Sequence, residues 1–240
     1  MPVIITAAPI VSEGVTVGAV ATYKDLSARR IAENQARKLL EENQILLKET
    51  YHRVKNDMLL ISSILALQAR RTENEAARDA IESAQNRVGV IGDMYHGFHA
   101  VGSFKTVSLQ EVCERSVDRF ADTPGIRVSG SCDGASLPPR PAVAVAVIIN
   151  ELVTNAVKHG SKGRDGSVSV EVTLRRPDTG RLSLTVRDDG PGYPKELLRD
   201  TDRGLGLDIV NALTEQYEGT ISLRNENGAV AELSLTIPEE

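Results

Sequence analysis

The chain has 240 residues, a formal net charge of −5, and 41% hydrophobic and 25% charged residues. That suits two modest domains of ordinary soluble composition, and the negative balance argues against nucleic acid or an anionic membrane surface as the main partner. With no Trp and 3% aromatics, stacking platforms for single-stranded nucleic acid are not expected.

Residues 3–23 read as two short strands, PVIITAAPIV and VTVGAVATYK, separated by the turn signal SEG. Two strands alone make no stable domain. From Leu26 to Arg71 there is no Gly or Pro, which predicts one long helix. Its apolar residues fall on a heptad: Leu40, Leu47, Val54 and Ile61 form one line, and Tyr51, Met58 and Leu65 the other. His52 lies beside that seam and is expected to point outward, with Asn56 one turn later on the same face. A second helix is predicted from Glu73 to His99, with a seam of Ala77, Ile81, Ala84, Val88, Ile91, Tyr95 and Phe98. A hairpin of two such helices cannot bury its stripes alone, so a homodimer packed as a four-helix bundle is expected.

VGSF at 101–104 breaks the pattern and marks a domain boundary. Beyond it the spacing predicts a helix over Leu109–Ala121, a strand over Ile126–Ser131 and a longer helix over Pro141–His159. Strands Ser167–Arg175 and Arg181–Arg187 follow, then a helix over Leu207–Tyr217 and strands Thr220–Asn225 and Ala229–Ile237. Helices with a largely antiparallel sheet make this an α+β layer domain. The expected organisation is a hairpin at 1–25, a coiled-coil linker and helical hairpin at 26–100, and the α+β domain at 101–240. No apolar run approaches the roughly 18 residues of a membrane-spanning helix; AVAVAVII at 142–149 is too short, and MPVIITAAPIV lacks the basic start of a signal peptide. Cys113 and Cys132 form no CxxC pair and read as reduced thiols. The expectation is a cytoplasmic protein with no membrane insertion.

Three motifs of the second domain carry chemistry. In NELVTNAVKHG (150–160), Glu151, Asn155, Lys158 and His159 share one helical face, able to hold a hydrated magnesium and its phosphates, or simply to be solvated. In DDGPG (188–192), Asp188 ends a strand, where a carboxylate can accept from an adenine amino group. Gly190 and Gly192 permit close backbone turns, although such dipeptides are also common in ordinary turns. In GLGL (204–207), Gly204, Leu205 and Gly206 open a helix, offering backbone amides and a dipole to phosphate. The intervening KELLRDTDR, with Lys195, Arg199 and Arg203, has the character of a lid.

Together, in this order, these motifs resemble the N, G1 and G2 boxes of the Bergerat-type ATPase fold shared by gyrase, Hsp90, MutL and histidine kinases. ETYHRVKNDMLLISSILALQ resembles the dimerisation and phosphoacceptor segment of the HisKA_2 sensor histidine kinases, relatives of the HWE kinases, and HRVKN is its specific core. The first two strands with KDLSARRIAE resemble the last hairpin of a PAS sensor domain. The resemblance implies ATP and Mg2+ as cofactors and His52 as phosphoacceptor. It places magnesium on Asn155, adenine on Asp188, and phosphates on Lys158, His159, Gly204 and Gly206. The phosphoryl group would pass to an aspartate of a separate response regulator. Where most histidine kinases carry an acidic residue after the histidine, Arg53 stands here, as in the HisKA_2 group. Tyr51 replaces a frequent His or Asn, Asp57 a frequent Asn, and GAVAE (228–232) a frequent Gly-Thr, removing a possible phosphate-side hydroxyl. Either Glu151 or Glu49 could take the imidazole proton, with Glu151 favoured by its place beside the metal site. Asn56 could orient a water for dephosphorylating the regulator, or be an ordinary helix-surface residue. His96 and His99 read as structural. The competing readings are a degenerate kinase acting as an ATP-binding scaffold, and an ATPase of the anti-sigma serine kinase type; the histidine-bearing hairpin counts against the latter.

Overall fold

The computed structural model describes residues 2–100, 106–160, 167–178, 180–198 and 204–238, with the backbone alone for 98–100. The chain divides into two compact units, Met1–Thr50 and Tyr51–Glu240. The expected boundary at 101–104 falls outside the described residues, as does His99 beyond its helical backbone.

In the first unit, β1 (Val3–Ser12) and β2 (Val15–Asp25) pair antiparallel. Glu13 and Gly14, at φ 47° and 80°, form the two-residue connection. Positive φ at both loop positions matches the right-handed twist of a hairpin. Its large apolar residues, Ile5, Val15 and Tyr23 among them, are exposed, so the hairpin has no core of its own. The Asp25 carboxylate accepts from the Ser27 amide at 2.8 Å where the long helix α1 (Ser27–Arg71) begins. Hydrogen bonding from the Ser27 side chain, and then from this amide, holds the Asp25 carboxyl below its usual range. Leu40 and Leu47, two members of the predicted heptad, are exposed on this helix.

In the second unit, α1 turns through Thr72–Asn74 into α2 (Glu75–Ala100). The Asn74 side chain accepts from the Ala77 amide at 3.0 Å, a side-chain cap that settles where α2 starts. Part of the predicted seam closes within the hairpin: the Tyr51 and Tyr95 rings lie 5.8 Å apart and Gly92 lets α2 approach Met58, whereas Ile61 and Ala77 are exposed. A second stripe of α2, Val90 and Met94, is buried against the α+β layer rather than in the hairpin seam.

That layer holds the core. β3 (Val107–Ser108) leads into α3 (Leu109–Asp118), which Ser108 caps by accepting from the Glu111 amide at 3.0 Å. After β4 (Ile126–Cys132) and β5 (Ser136–Leu137), α4 (Pro139–Gly160) opens with Pro, whose fixed φ suits a first turn. Then come β6 (Val168–Asp178), β7 (Arg181–Asp188), the short α5 (Lys195–Leu198), α6 (Gly204–Gln216), β8 (Thr220–Asn225) and β9 (Ala229–Thr236). The five-stranded sheet runs β4-β6-β7-β9-β8; β4–β6 is parallel and the other pairings are antiparallel. Alternating residues of β6 and β7, from Val170 and Val172 to Leu182 and Leu184, are buried on one face. Against them lie Val145, Ile148, Ile149, Leu152 and Val153 of α4, each worth about 1.5–3 kcal/mol when removed from water. α4 is long and apolar enough to cross a membrane by length and composition, and it is the core helix of this layer. The α+β architecture, a helical hairpin followed by an α/β sandwich, is as expected. Cys113 is buried in the layer, and burial pushes its thiol up to about 11, which keeps it protonated and unreactive at neutral pH.

Candidate functional site

The C-terminal half of α4, the turn after β7 and the start of α6 enclose a pocket of about 470 Å³, within the size range of small-molecule sites. Asn155, Lys158, His159, Asp188, Gly192, Gly204, Leu205 and Gly206 all line it, so the three motifs, far apart in the chain, converge. Gly190 adjoins it, packed on Gly160 and the Asp188 side chain.

Asp188 is 9% exposed at the end of β7. Its Oδ1 accepts from the Gly190 amide at 2.8 Å and the Ala229 amide at 3.0 Å. Oδ2 has no partner among the described residues, which leaves one oxygen to accept from a ligand donor. Gly190 is required by close approach: a Cβ there would lie 2.9 Å from the Gly160 carbonyl oxygen and 3.0 Å from Asp188 Oδ1. We expect Gly190→Ala to cost about 1–3 kcal/mol through overpacking. Lower thermal stability and weaker nucleotide binding are then expected. Gly134→Ala, with nothing within 4 Å, is the neutral control in the same melting and titration experiments.

Ala229, in the GAVAE stretch, packs beside Asp188. The missing hydroxyl of that stretch therefore belongs to the Asp188 end of the pocket, a correction to its expected place at the phosphates. Gly192 adopts φ 86° and packs on the Asn225 carboxamide. Asn225 clamps the next residue, accepting from the Tyr193 amide at 2.7 Å and donating to its carbonyl at 3.0 Å. Tyr193 lines the pocket, and burial, followed by the Asp188 charge, pushes its phenol well above the usual range. Sequence reading missed both residues. Tyr193 directly follows DDGPG, whereas Asn225 lies 32 residues from its partner and carries no local signal.

On α4, Glu151 is buried while Asn155 is half-buried and Lys158 and His159 are exposed at the pocket rim. Gly206 packs against this face; a Cβ there would lie 2.9 Å from Glu151 Oε2 and 3.6 Å from the Asn155 amide nitrogen. The amide oxygen of Asn155 is a hard donor suited to magnesium sharing phosphate and water ligands. The start of α6 beside it presents backbone amides suited to phosphate. The described residues contain no group of three or more His, Cys, Asp or Glu placed to hold a metal. Lys195 begins α5; Arg199 and Arg203 of the expected lid lie outside the described residues.

The pocket has a further wall that the motifs did not announce. Asp79, Ser83, Asn86 and Arg87 of α2 line it, and Arg87 forms a bidentate pair with Glu151. These four share one stripe of α2 opposite the predicted seam, a polar periodicity that was present to be read. His52 and Asn56 are exposed on α1, and neither lines the pocket. His96 lies exposed in the groove between α1 and α2, near Lys55 and Asp93.

A family model described as histidine kinase-, DNA gyrase B-, and HSP90-like ATPase matches residues 142–240, and one described as histidine kinase matches residues 49–123. The chain is 30% identical over 244 residues to the sensor histidine kinase PdtaS of Mycobacterium tuberculosis (strain CDC 1551 / Oshkosh), covering 98% of this chain and 47% of that protein. It thus spans about half the length of the curated relatives it matches. Among solved structures, the histidine kinase domain of the Erythrobacter litoralis EL346 blue-light activated histidine kinase superposes with a TM-score of 0.54 at 21% identity, over 74% of this chain and 95% of that one. A larger structure of the same kinase gives a TM-score of 0.57 at 19% identity, over 97% of this chain and 70% of that one. At these identities the structural likeness speaks for the fold.

Proposed function

We propose that this chain is a HisKA_2-type histidine kinase that transfers the γ-phosphoryl group of ATP to His52 and then to an aspartate of a separate response regulator. The observation that carries this reading is the meeting of Asn155, Asp188 and Gly206 around one pocket, in a chain that also exposes a histidine on a helical hairpin. Asp188 Oδ2 accepts from the adenine amino group, and the Gly204–Gly206 amides hold phosphate oxygens. Asn155 would hold magnesium, which would supply positive charge to offset that on the phosphates. Lys158 and His159 border the same end. A ring nitrogen of His52 forms the bond to phosphorus as the bond to the β-phosphate oxygen breaks and ADP leaves. The ring proton passes to a carboxylate, for which Glu151 lies in the pocket wall and Glu49 one turn before His52. Such transfer depends on positioning and charge neutralisation more than on covalent help.

The exposed Leu59, Leu60, Ile61 and Ile64 on the phosphoacceptor stretch of α1 support a homodimer built on this helix. Asn56, exposed one turn beyond His52, would orient the water that hydrolyses the regulator's aspartyl phosphate and releases inorganic phosphate. We place the activity in the cytoplasm, where ATP and reduced thiols coexist.

The test is incubation of the full chain with γ-labelled ATP and magnesium. An acid-labile, alkali-stable label mapped to His52 is expected, and it should pass to a receiver domain. Binding of ATP without any label would instead favour the scaffold reading. Asn155→Asp places a charge beside the phosphates and is expected to slow magnesium-dependent labelling about fivefold or more, since like charges at about 4 Å cost at least ~1 kcal/mol. Unchanged labelling across a magnesium titration would remove Asn155 from the metal site.

A further inference from the structure

Glu151 lies in the pocket wall, yet both its oxygens are engaged. Arg87 of α2 donates from Nε to Oε1 at 3.0 Å and from Nη2 to Oε2 at 2.9 Å, and the Asn150 carboxamide donates to Oε1 at 3.4 Å. The parallel fork is the strong geometry of guanidinium–carboxylate pairing. Its side chains are only 13% and 8% exposed, so solvent screens it little. The second ion pair between α2 and the α+β layer, Arg119 with Asp93, is far more open, at 27% and 63% exposed, and contributes correspondingly less. Of these two ion pairs between α2 and the α+β layer, Arg87–Glu151 is thus the stronger, and it is the one at the nucleotide pocket.

The same arrangement keeps the pocket away from the phosphoacceptor. α2 meets the pocket at Asp79, Ser83 and Arg87, whereas Tyr51, next to His52, packs on Tyr95 with the rings tilted by 37°. Arg87 and Tyr95 are eight residues apart, roughly 12 Å along a helix axis. Transfer needs the attacking nitrogen about 3–3.5 Å from phosphorus.

We infer that the Arg87–Glu151 pair is a latch: while it is closed, α2 holds the pocket at the wrong level of the hairpin and covers the carboxylate that takes the His52 proton, and it must open before His52 is phosphorylated. The covering half of this inference rests on Glu151 as the base; the docking half does not. Arg87 acts through Glu151 and is a positioning residue.

The test compares Arg87→Gln, Arg87→Lys and Glu151→Gln in the full chain, reading the autophosphorylation rate against ATP concentration and the hydrogen exchange of α2 amides around Ser83–Val90. Exchange reports local opening of the helix. Arg87→Gln is expected to speed exchange and raise kcat several-fold, with KM for ATP within about twofold. A purely structural role would not produce this gain. Arg87→Lys keeps the charge without the fork and is expected to fall between Arg87→Gln and the parent chain. Glu151→Gln is expected to speed exchange but lower kcat. Faster exchange in Arg87→Gln with kcat at or below the parent value overturns the latch, as does unchanged exchange. If Arg87→Gln does not fold, Arg87→Lys decides by the same criterion. Raised kcat in both Arg87→Gln and Glu151→Gln would support the docking latch while removing Glu151 as the base.

Discussion

Replacing His52 by Ala is expected to abolish phosphoryl incorporation while leaving ATP binding unchanged. His52 is exposed on α1 and does not line the pocket, so truncation removes no nucleotide contact. Ala is the best helix former, and an exposed substitution of this kind shifts stability by no more than about 0.5 kcal/mol. The loss can therefore be read as lost chemistry rather than lost fold. Labelling of parent and variant, with ATP affinity from calorimetry, checks both halves. The chain has four histidines in all. Label persisting at the parent level would move the phosphoacceptor to another residue, with His96, His99 and His159 the remaining imidazoles.

Asp188→Asn is expected to weaken ATP binding about tenfold to a hundredfold, following the roughly 1.5–3 kcal/mol of a hydrogen bond to a charged group. The geometry shows why an isosteric change is harmful. Oδ1 already accepts from the Gly190 and Ala229 amides, 2.8 and 3.0 Å away. An Asn must keep its one oxygen there, because turning the NH2 group inward would set donor against two donors. The NH2 group then takes the place of Oδ2 and meets the amino group of adenine, again donor against donor. Binding of a purine nucleotide with a carbonyl at that ring position should suffer less, so calorimetry with ATP and GTP on both proteins gives a specificity readout. Equal ATP affinity in parent and variant would take Asp188 out of the adenine site.

Much of the molecule was legible because its signals are local. The 7-residue spacing from Leu40 to Ile61 specifies a helix with one apolar line, whatever surrounds it. Alternation in β6 and β7 specifies strands with one buried face. NELVTNAVKHG, DDGPG and GLGL each announce a local backbone state, and the structure brings all three to one pocket. Departures at element ends were small: α2 begins at Glu75 and not Glu73, because the Asn74 side chain caps it.

What remained hidden depends on groups distant in sequence. Gly190 needs to be Gly because the Gly160 backbone presses on it, and Tyr193 is fixed by Asn225 on another strand. Arg87 and Glu151 are 64 residues apart, and no periodicity in either helix names the other as partner. α2 illustrates the division most clearly. Its heptad predicted one buried face and found it at Tyr95. Only the packed layer decided that Val90 and Met94 would form a second buried face and that Arg87 would enter the pocket. Helical periodicity follows from backbone geometry and can be read from one segment. Which polar side chain meets which follows from the packing of whole elements, and that exists only once the chain has folded.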